Sequence, residues 1–457
     1  MIQVDSRRIK QGDTFVALRG ISSDGHSYIE TAIKNGAIKV IAEEGSYSVE
    51  TLIVKDTREY LTAYLKETYK DMLNDMTIIG VTGTNGKTTT AYLIYQALNL
   101  LGRKCSYIGT NGYFIGGEKI ELPSLPNTTP DILEQYQMYE ESYNKGYKYV
   151  VLEASSQAIS YGRIEGIKFD YAIFTNLSEE HLNYHKTMEN YYLAKRKLFE
   201  QLTGTAIINF DDDYKDKFTL EKNSNFFYGF NGGDIKVEDF ITQKENTTFT
   251  YTYLNNQYKV NSNLIGKYNI YNMLATIALL INLKIDINDI NKTISEIASP
   301  EGRMEKIIYN NNTIIIDYAH TPASIQSLID TVNLIKHNNT YVVFGCAGER
   351  DRSLRSVMAN IIMKNATKLI ITSDDPHEEE LAQIVNDMLE KKVTNNYEIC
   401  LDRSLAIKKG ISLLNQNDLL LILGKGHEKH MIIGKEKIPF SDKEEVNKYI
   451  EKENNSN

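Results

Sequence analysis

The sequence has no tryptophan, three cysteines and seven prolines among 457 residues, and acidic residues outnumber basic ones 60 to 51. Each shortage narrows the field. Cys105, Cys346 and Cys400 lie far apart and form neither a CxxC pair nor a metal spacing, so a reducing cytoplasm fits them better than a disulfide scaffold. The net charge of -9 argues against a broad nucleic-acid or membrane surface, while leaving room for a local basic pocket. Long apolar runs are missing too: "MLATIALLI" and "DLLLILG" fall well short of the roughly 18 residues of a membrane span. The start, "MIQVDSRRIKQGD", has no signal-like apolar core. A soluble, cytoplasmic protein is expected.

The length predicts about three domains. Short apolar runs alternate with helical patterns, the signature of α/β architecture. Residues 1–76 hold the strands "TFVAL", "IKVIA" and "TLIVK" and one helix, "YLTAYLKETYKDML"; a second block runs over 77–300 and a third over 301–457, parted at "EIASPEGRMEKI". In the third block the strands of "TIIIDYAHTP", "YVVFGCAGERD", "KLIITSDDPHEEE" and "LLLILGKGHE" all end in polar loops. Ligands of open α/β sheets gather at such carboxyl ends, which predicts a binding site there. "YVVLEASSQ" and "YAIFTNLSEEH" repeat the pattern in the second block.

"IIGVTGTNGKTTTAYLI" is a strand, a glycine-rich turn and a helix start, which is the construction of a phosphate cradle. Val81 occupies the slot where the ordinary Walker pattern has glycine. Lys87 would reach the outer phosphates of ATP and Thr88 would place its hydroxyl on Mg2+. Glu153, at a strand end, pairs with Thr88 as a hard oxygen ligand for Mg2+, a cap or ion-pair role being the alternative. His181 and His185 stand four apart, which on a helix places both on one face. No cysteine or third histidine nearby completes a zinc site, so a magnesium shared with ATP is simpler.

"GVTGTNGKTT", "NTTPD", "EASSQAISYGR", "NLSEEHLNYH", "YLAKRKLF", "GKYNIYNMLAT", "GRMEKI", "DYAHTPAS", "GCAGERDR" and "GKGHE" follow one another along the chain. In these motifs and their order the sequence resembles the Mur ligases, and among them those adding the third residue to UDP-N-acetylmuramoyl-L-alanyl-D-glutamate. The resemblance implies a small α/β UDP-binding domain at 1–76, a central P-loop ATPase-like domain with a mainly parallel sheet at 77–300, and a C-terminal Rossmann-like domain at 301–457. It implies that Gly83, Thr84, Asn85, Gly86, Lys87, Thr88 and Thr89 hold the ATP phosphates, that Asn269 and Asn272 contact adenine, and that Arg303 and Asp317 close over ATP. Lys87, Glu153, His181 and Lys195 become the catalytic set, with Thr88 and Glu153 on one Mg2+ and Lys195, carbamylated, helping His181 to hold a second Mg2+. Ser6, Asn127, Thr128, Thr129, Ser155 and Arg163 match positions that bind the UDP-sugar dipeptide. Arg350, Asp374, Asp375, Pro376, His377, Gly424 and Glu428 match the site of the incoming amino acid. The implied reaction phosphorylates the D-glutamate side chain with ATP and lets an amine displace phosphate, in peptidoglycan precursor synthesis by a monomer that binds neither nucleic acid nor membrane.

The sequence departs from the family in two places. Where diaminopimelate enzymes carry "DNPR", Asp374, Asp375, Pro376 and His377 stand here, followed by Glu378, Glu379 and Glu380. A histidine grips a carboxylate less firmly than a forked guanidinium, and an acidic loop suits an ammonium, so L-lysine is favoured over meso-diaminopimelate. The glutamates could instead simply start a helix. The element "DSR", Asp5 to Arg7, lies nearer the start than in the family, and Tyr161 replaces a common glutamine. These departures leave open a paralogous ligase with another acceptor. A nucleotide-binding protein without catalysis and a folylpolyglutamate-type ligase fit less well.

Overall fold

The structure, a computed structural model, describes residues 1–20, 23–121 and 128–454. They form three main sheets in chain order. The first is parallel and four-stranded: Ile2–Gln3, Thr14–Val16, Lys39–Ala42 and Glu50–Ile53. One face buries Phe15 and Val40 beneath Ile29 and Ala32. The other face sends Val16 and Ile41 into a cluster with Leu61, Leu65 and Ile78, fusing this sheet to the next block. The helix expected here as one run is two, Thr57–Thr68 and Lys70–Asp75. Tyr69 leaves helical geometry between them (φ -105°, ψ 15°), and its ring packs 5.6 Å from that of Tyr136.

The second sheet has eleven strands. Its middle is parallel, in the order Ser224–Gly229, Leu202–Asn209, Phe169–Phe174, Thr77–Thr82, Tyr149–Glu153, Cys105–Gly109. Both margins are antiparallel, the longer one a ribbon of Ile235–Thr242, Thr247–Tyr253 and Asn256–Ser262. The central strands Thr77–Thr82, Tyr149–Glu153 and Phe169–Phe174 are mostly apolar because helices cover both faces. Ile79, Val81 and Val151 pack under helices Lys87–Leu100 and Lys267–Asn282. Ile78, Val150 and Leu152 pack under Ile132–Asn144 and Met188–Glu200.

The third sheet has six strands, in the order Glu305–Tyr309, Asn312–Asp317, Leu419–Leu423, Thr340–Phe344, Lys368–Ile371, Tyr397–Ile399. Only the first pair is antiparallel. Helix Pro322–Val332 starts where the sequence allows it, with proline in the first turn and a reciprocal cap between Thr321 and Ser324. The carboxyl ends of the middle strands of the second and third sheets border one cleft. Among the described residues no helix is long and apolar enough to cross a membrane.

Candidate functional site

The phosphate loop follows strand Thr77–Thr82 and ends at Gly86, whose φ of +84° sits at the N-cap of helix Lys87–Leu100. Only glycine takes that conformation without strain, and a Cβ there would also come 2.7 Å from Asn272 Oδ1. The Lys87 ammonium folds back into the loop, donating to the carbonyls of Gly83 (3.0 Å) and Thr84 (2.8 Å). Burial holds its pKa down, with Glu180 and Glu153 opposing.

Glu153 ends the neighbouring strand, fully buried. Its carboxylate accepts from Thr88 Oγ1 (2.9 Å), Thr110 Oγ1 (3.0 Å), the Thr110 amide (3.0 Å) and the Tyr107 hydroxyl. A carboxylate and two hydroxyls within hydrogen-bond reach are the hard oxygen donors Mg2+ takes, so this group fits that ion.

Lys195 rises from helix Met188–Glu200 beneath the loop, and its buried amine donates to the Gly83 carbonyl at 2.6 Å. Burial first, and then the nearby Lys87 charge, push its pKa well below the usual lysine range. A lysine so placed is readily a neutral amine.

His181 borders the cleft from the positive-φ residue before the short helix Leu182–His185, with Nε2 3.8 Å from Glu180 Oε1. Burial and the cations Lys87, Lys195 and Arg350 lower its pKa. His185 does not share this face. Its Nε2 lies 2.9 Å from Ser156 Oγ, its ring packs on Tyr184 and Tyr191, and burial lowers its pKa to about 4. The four-residue spacing misleads because the helix is too short and starts at an irregular residue.

Three cavities lie in a row. The first, about 360 Å3, is lined by Asn85, Gly86 and Thr89 of the loop, by Asn269 and Asn272, and by Arg303 and Asp317. Asn272 Nδ2 donates to Asn269 Oδ1 (3.2 Å) and its own Oδ1 accepts from Thr90 (3.1 Å), which fixes the pair. The buried Asp317 carboxylate accepts the amides of Met304 (2.7 Å) and Ala319 (2.8 Å), while burial raises its pKa against the pull of Arg303. The second cavity, about 300 Å3, holds Thr84 to Thr89, Thr110, Thr128, Ser155, Glu180, His181, Arg303 and Arg350. Arg303 therefore borders both, its guanidinium 4.6 Å from the ring centre of Tyr318.

The third cavity, about 80 Å3, is lined by Arg350, Asp374, Asp375, His377, Gly424 and Glu428 together with Tyr318 and His320. Lys425, fully buried, holds its acids together: Nζ is 2.7 Å from Asp375, 2.8 Å from Glu428 and 3.7 Å from Asp374. Pro376 does not line it. Of the three glutamates, Glu379 pairs with the buried Arg355 (2.8 Å), Glu378 pairs with Lys435 (3.4 Å), and Glu380 precedes helix Leu381–Leu389. None of them borders the pocket, so the acidity expected of this loop comes from Asp374, Asp375 and Glu428 instead.

Of the residues expected to bind the dipeptide, Thr128 and Ser155 line the second cavity, whereas Thr129 donates to the Glu153 carbonyl (2.7 Å), the Arg163 guanidinium donates to the Thr129 carbonyl (2.9 Å), and neither lines any of these three cavities. Ser6 is buried in the first sheet's block, where its carbonyl accepts from Asn35 (2.9 Å), away from these cavities. Asn127 lies outside the described residues. Sequence reasoning missed Tyr107, Thr110, Glu180, His320 and Lys425. Thr110 had a signal, since "YIGTNG" is another apolar strand ending in a polar loop; Lys425 stood within "GKGHE".

Comparison with known proteins places three family models along the chain: "Mur ligase family, catalytic domain" at residues 1–72, "Mur ligase middle domain" at 81–280 and "Mur ligase, glutamate ligase domain" at 302–426. A Bacillus cereus UDP-N-acetylmuramoyl-L-alanyl-D-glutamate–2,6-diaminopimelate ligase is 36% identical over 97% of this chain and 92% of its own. The enzyme of that name from Fusobacterium nucleatum is 37% identical over the same shares. A solved structure of a ligase of this name superposes with a TM-score of 0.69 at 30% identity, covering 99% of this chain and 95% of that one. A MurF ligase of Thermotoga maritima in complex with ADP shares the fold, with a TM-score of 0.70 at 20% identity over 100% of this chain and 98% of that one.

Proposed function

This chain belongs to the Mur ligase family of ATP-dependent amide ligases, and we propose that it adds a diamino acid to UDP-N-acetylmuramoyl-L-alanyl-D-glutamate through an acyl phosphate. The observation that carries this reading is the row of three cavities, in which Arg303 joins the first to the second and Tyr318, His320 and Arg350 join the second to the third. Such a row suits nucleotide, carboxylate and amine brought together in turn.

In this reading adenosine lies against Asn269 and Asn272 in the first cavity, and the phosphates lie along the loop. Lys87 turns from its carbonyl partners to the γ-phosphate, where its charge meets the charge that develops on transfer. One Mg2+ held by Thr88 and Glu153, and a second held by His181 with the carbamylated Lys195, would neutralise phosphate charge. The Lys195 side chain, once its ammonium has given up a proton to become the neutral amine, would take up carbon dioxide, forming a carbamate N–C bond and losing a second proton, so that a buried cation becomes an anion beside the metal position. Thr128, Thr129, Ser155 and Arg163 hold the dipeptide so that its side-chain carboxylate faces the γ-phosphate. Arg350 meets the carboxylate of the incoming amino acid.

The relatives are named for 2,6-diaminopimelate. For this chain the proposal favours L-lysine, because Asp374, Asp375 and Glu428 share one cation, Lys425, and His377 stands at the loop position where a guanidinium would grip a second carboxylate. The test is product mass after incubation with ATP, the nucleotide dipeptide and either L-lysine or meso-diaminopimelate. A product carrying lysine supports the whole reading; a product carrying only diaminopimelate overturns the choice of amino acid; no product with any diamino acid overturns the acceptor.

A further inference from the structure

The second and third cavities meet at three side chains, Tyr318, His320 and Arg350. On the reading above, the acyl phosphate forms in the second cavity and the amine waits in the third, so the bond is made where these residues stand. An amino group reaches its site as an ammonium, which has no lone pair to attack with, so a proton must be accepted at that seam. Arg350 is permanently charged and accepts none. The Tyr318 hydroxyl is protonated, burial pushing its pKa further up.

We propose that His320 is the base that takes the proton from the incoming ammonium. Its Nδ1 lies 2.8 Å from the Tyr318 carbonyl oxygen. A carbonyl only accepts, so Nδ1 carries the hydrogen and, in the neutral ring, Nε2 carries the lone pair. Nε2 has no hydrogen-bond partner among the described residues and is not among the buried unpaired atoms, which leaves it open to the cavity. The ring is braced by Tyr318 at 4.7 Å between centres.

The charged groups facing it are Glu180 from the loop before Leu182–His185, Arg350 from the loop after Thr340–Phe344, and Arg303 from the loop before Glu305–Tyr309. Burial, with Arg350 and Arg303, holds the imidazole neutral, against the pull of its Tyr318 hydrogen bond and of Glu180. Other acids are misplaced for the task. Glu180 borders only the second cavity, Asp374 and Glu428 only the third, and Glu428 is engaged by Lys425 at 2.8 Å. The step balances: Nε2 takes one proton from the ammonium, the freed amine attacks the acyl carbon, the C–N bond forms and the C–O bond to phosphate breaks. The second nitrogen proton leaves with the phosphate as hydrogen phosphate.

The experiment uses the full chain with ATP, Mg2+ and the UDP-muramoyl dipeptide, comparing wild type with His320→Asn, whose amide N–H replaces the Nδ1–H donor. Each is given either L-lysine or meso-diaminopimelate, whichever wild type uses, or hydroxylamine, a nucleophile already neutral near pH 7 that traps the acyl phosphate as a hydroxamate. The variant should form amide about 100-fold more slowly while its hydroxamate yield stays within about threefold of wild type, because only the ammonium needs a base. Its amide rate should recover as pH rises and free amine accumulates. Amide formation within about threefold of wild type, or equal loss of amide and hydroxamate, overturns the assignment. Wild type that forms neither product with this nucleotide overturns instead the proposed function on which the inference rests, and the inference with it.

Discussion

Replacing Lys425 by methionine isolates what its charge does. The side chain is fully buried, and methionine fills nearly the same volume, so the loss is electrostatic rather than a cavity. The ammonium makes close ion pairs with Asp375 at 2.7 Å and Glu428 at 2.8 Å, and a looser one with Asp374 at 3.7 Å. Hydrogen bonds to charged groups contribute about 1.5–3 kcal/mol each, so the two short ones together give about 3–6 kcal/mol. Breaking a buried pair from one side costs about 3–5 kcal/mol, the same range by another route. Burial already raises the pKa values of Asp374 and Glu428, and without Lys425 they rise further. A carboxyl whose folded pKa lies above its unfolded value binds protons more readily in the folded state. The deficit of the variant should therefore shrink as pH falls from about 7 towards 4. Hydrogen exchange of strand Leu419–Leu423 reports the local opening free energy without assuming that the whole chain unfolds in one step. A drop of about 3–5 kcal/mol in protection is expected at neutral pH. A loss below about 1 kcal/mol, or one that grows on acidification, would refute the account of Lys425 as the counter-ion of this pocket.

Other predictions are shorter. Lys195→Ala should abolish amide formation and be partly restored by small carboxylates that replace the carbamate, and intact wild type measured in bicarbonate should carry the added mass of one carbon dioxide; an active alanine variant without additive refutes the role. His377→Arg should raise kcat/KM for meso-diaminopimelate relative to L-lysine by about tenfold, the effect of one added charge-assisted contact of roughly 1.4 kcal/mol, and an unchanged ratio removes this residue from selection. Burial holds His185 at about 4 and, with Arg303 and Lys119, His427 at about 3, both below the ordinary value of 6.5. The unfolded chain thus takes up these protons first, so stability is fully present above 6.5 and falls as pH drops towards 4. Thermal melts across that window should slope downward, and less steeply in a His185→Gln, His427→Gln double variant.

The parallel strands were legible because their apolar runs are uninterrupted and end in polar loops: Ile78 to Val81, Val150 to Leu152 and Leu419 to Leu423 are all strands. The cradle was legible from glycines and Lys87, whose roles are local. What escaped depends on residues distant in the chain. Tyr107 and Thr110 meet Glu153 only because Cys105–Gly109 lies beside Tyr149–Glu153 in the sheet. The glutamates after His377 have nothing in their spacing to announce that Glu379 turns to Arg355. The pairing of Lys425 with Asp375 joins two strand ends fifty positions apart.

The seam between the second and third sheets is built unlike the one between the first and second. Val16 and Ile41 share an apolar cluster with Leu61, Leu65 and Ile78. Across the other seam, Ile265 and Tyr268 pack with Met304 and Leu328, a few side chains such as Asn111 and Gln96 reach backbone carbonyls at Glu301 and Ala298, and open cavities fill much of the rest. On the proposed function, nucleotide, carboxylate and amine would each complete part of the wall between these sheets, so that the acyl phosphate would be shielded from water most fully once all three are in place.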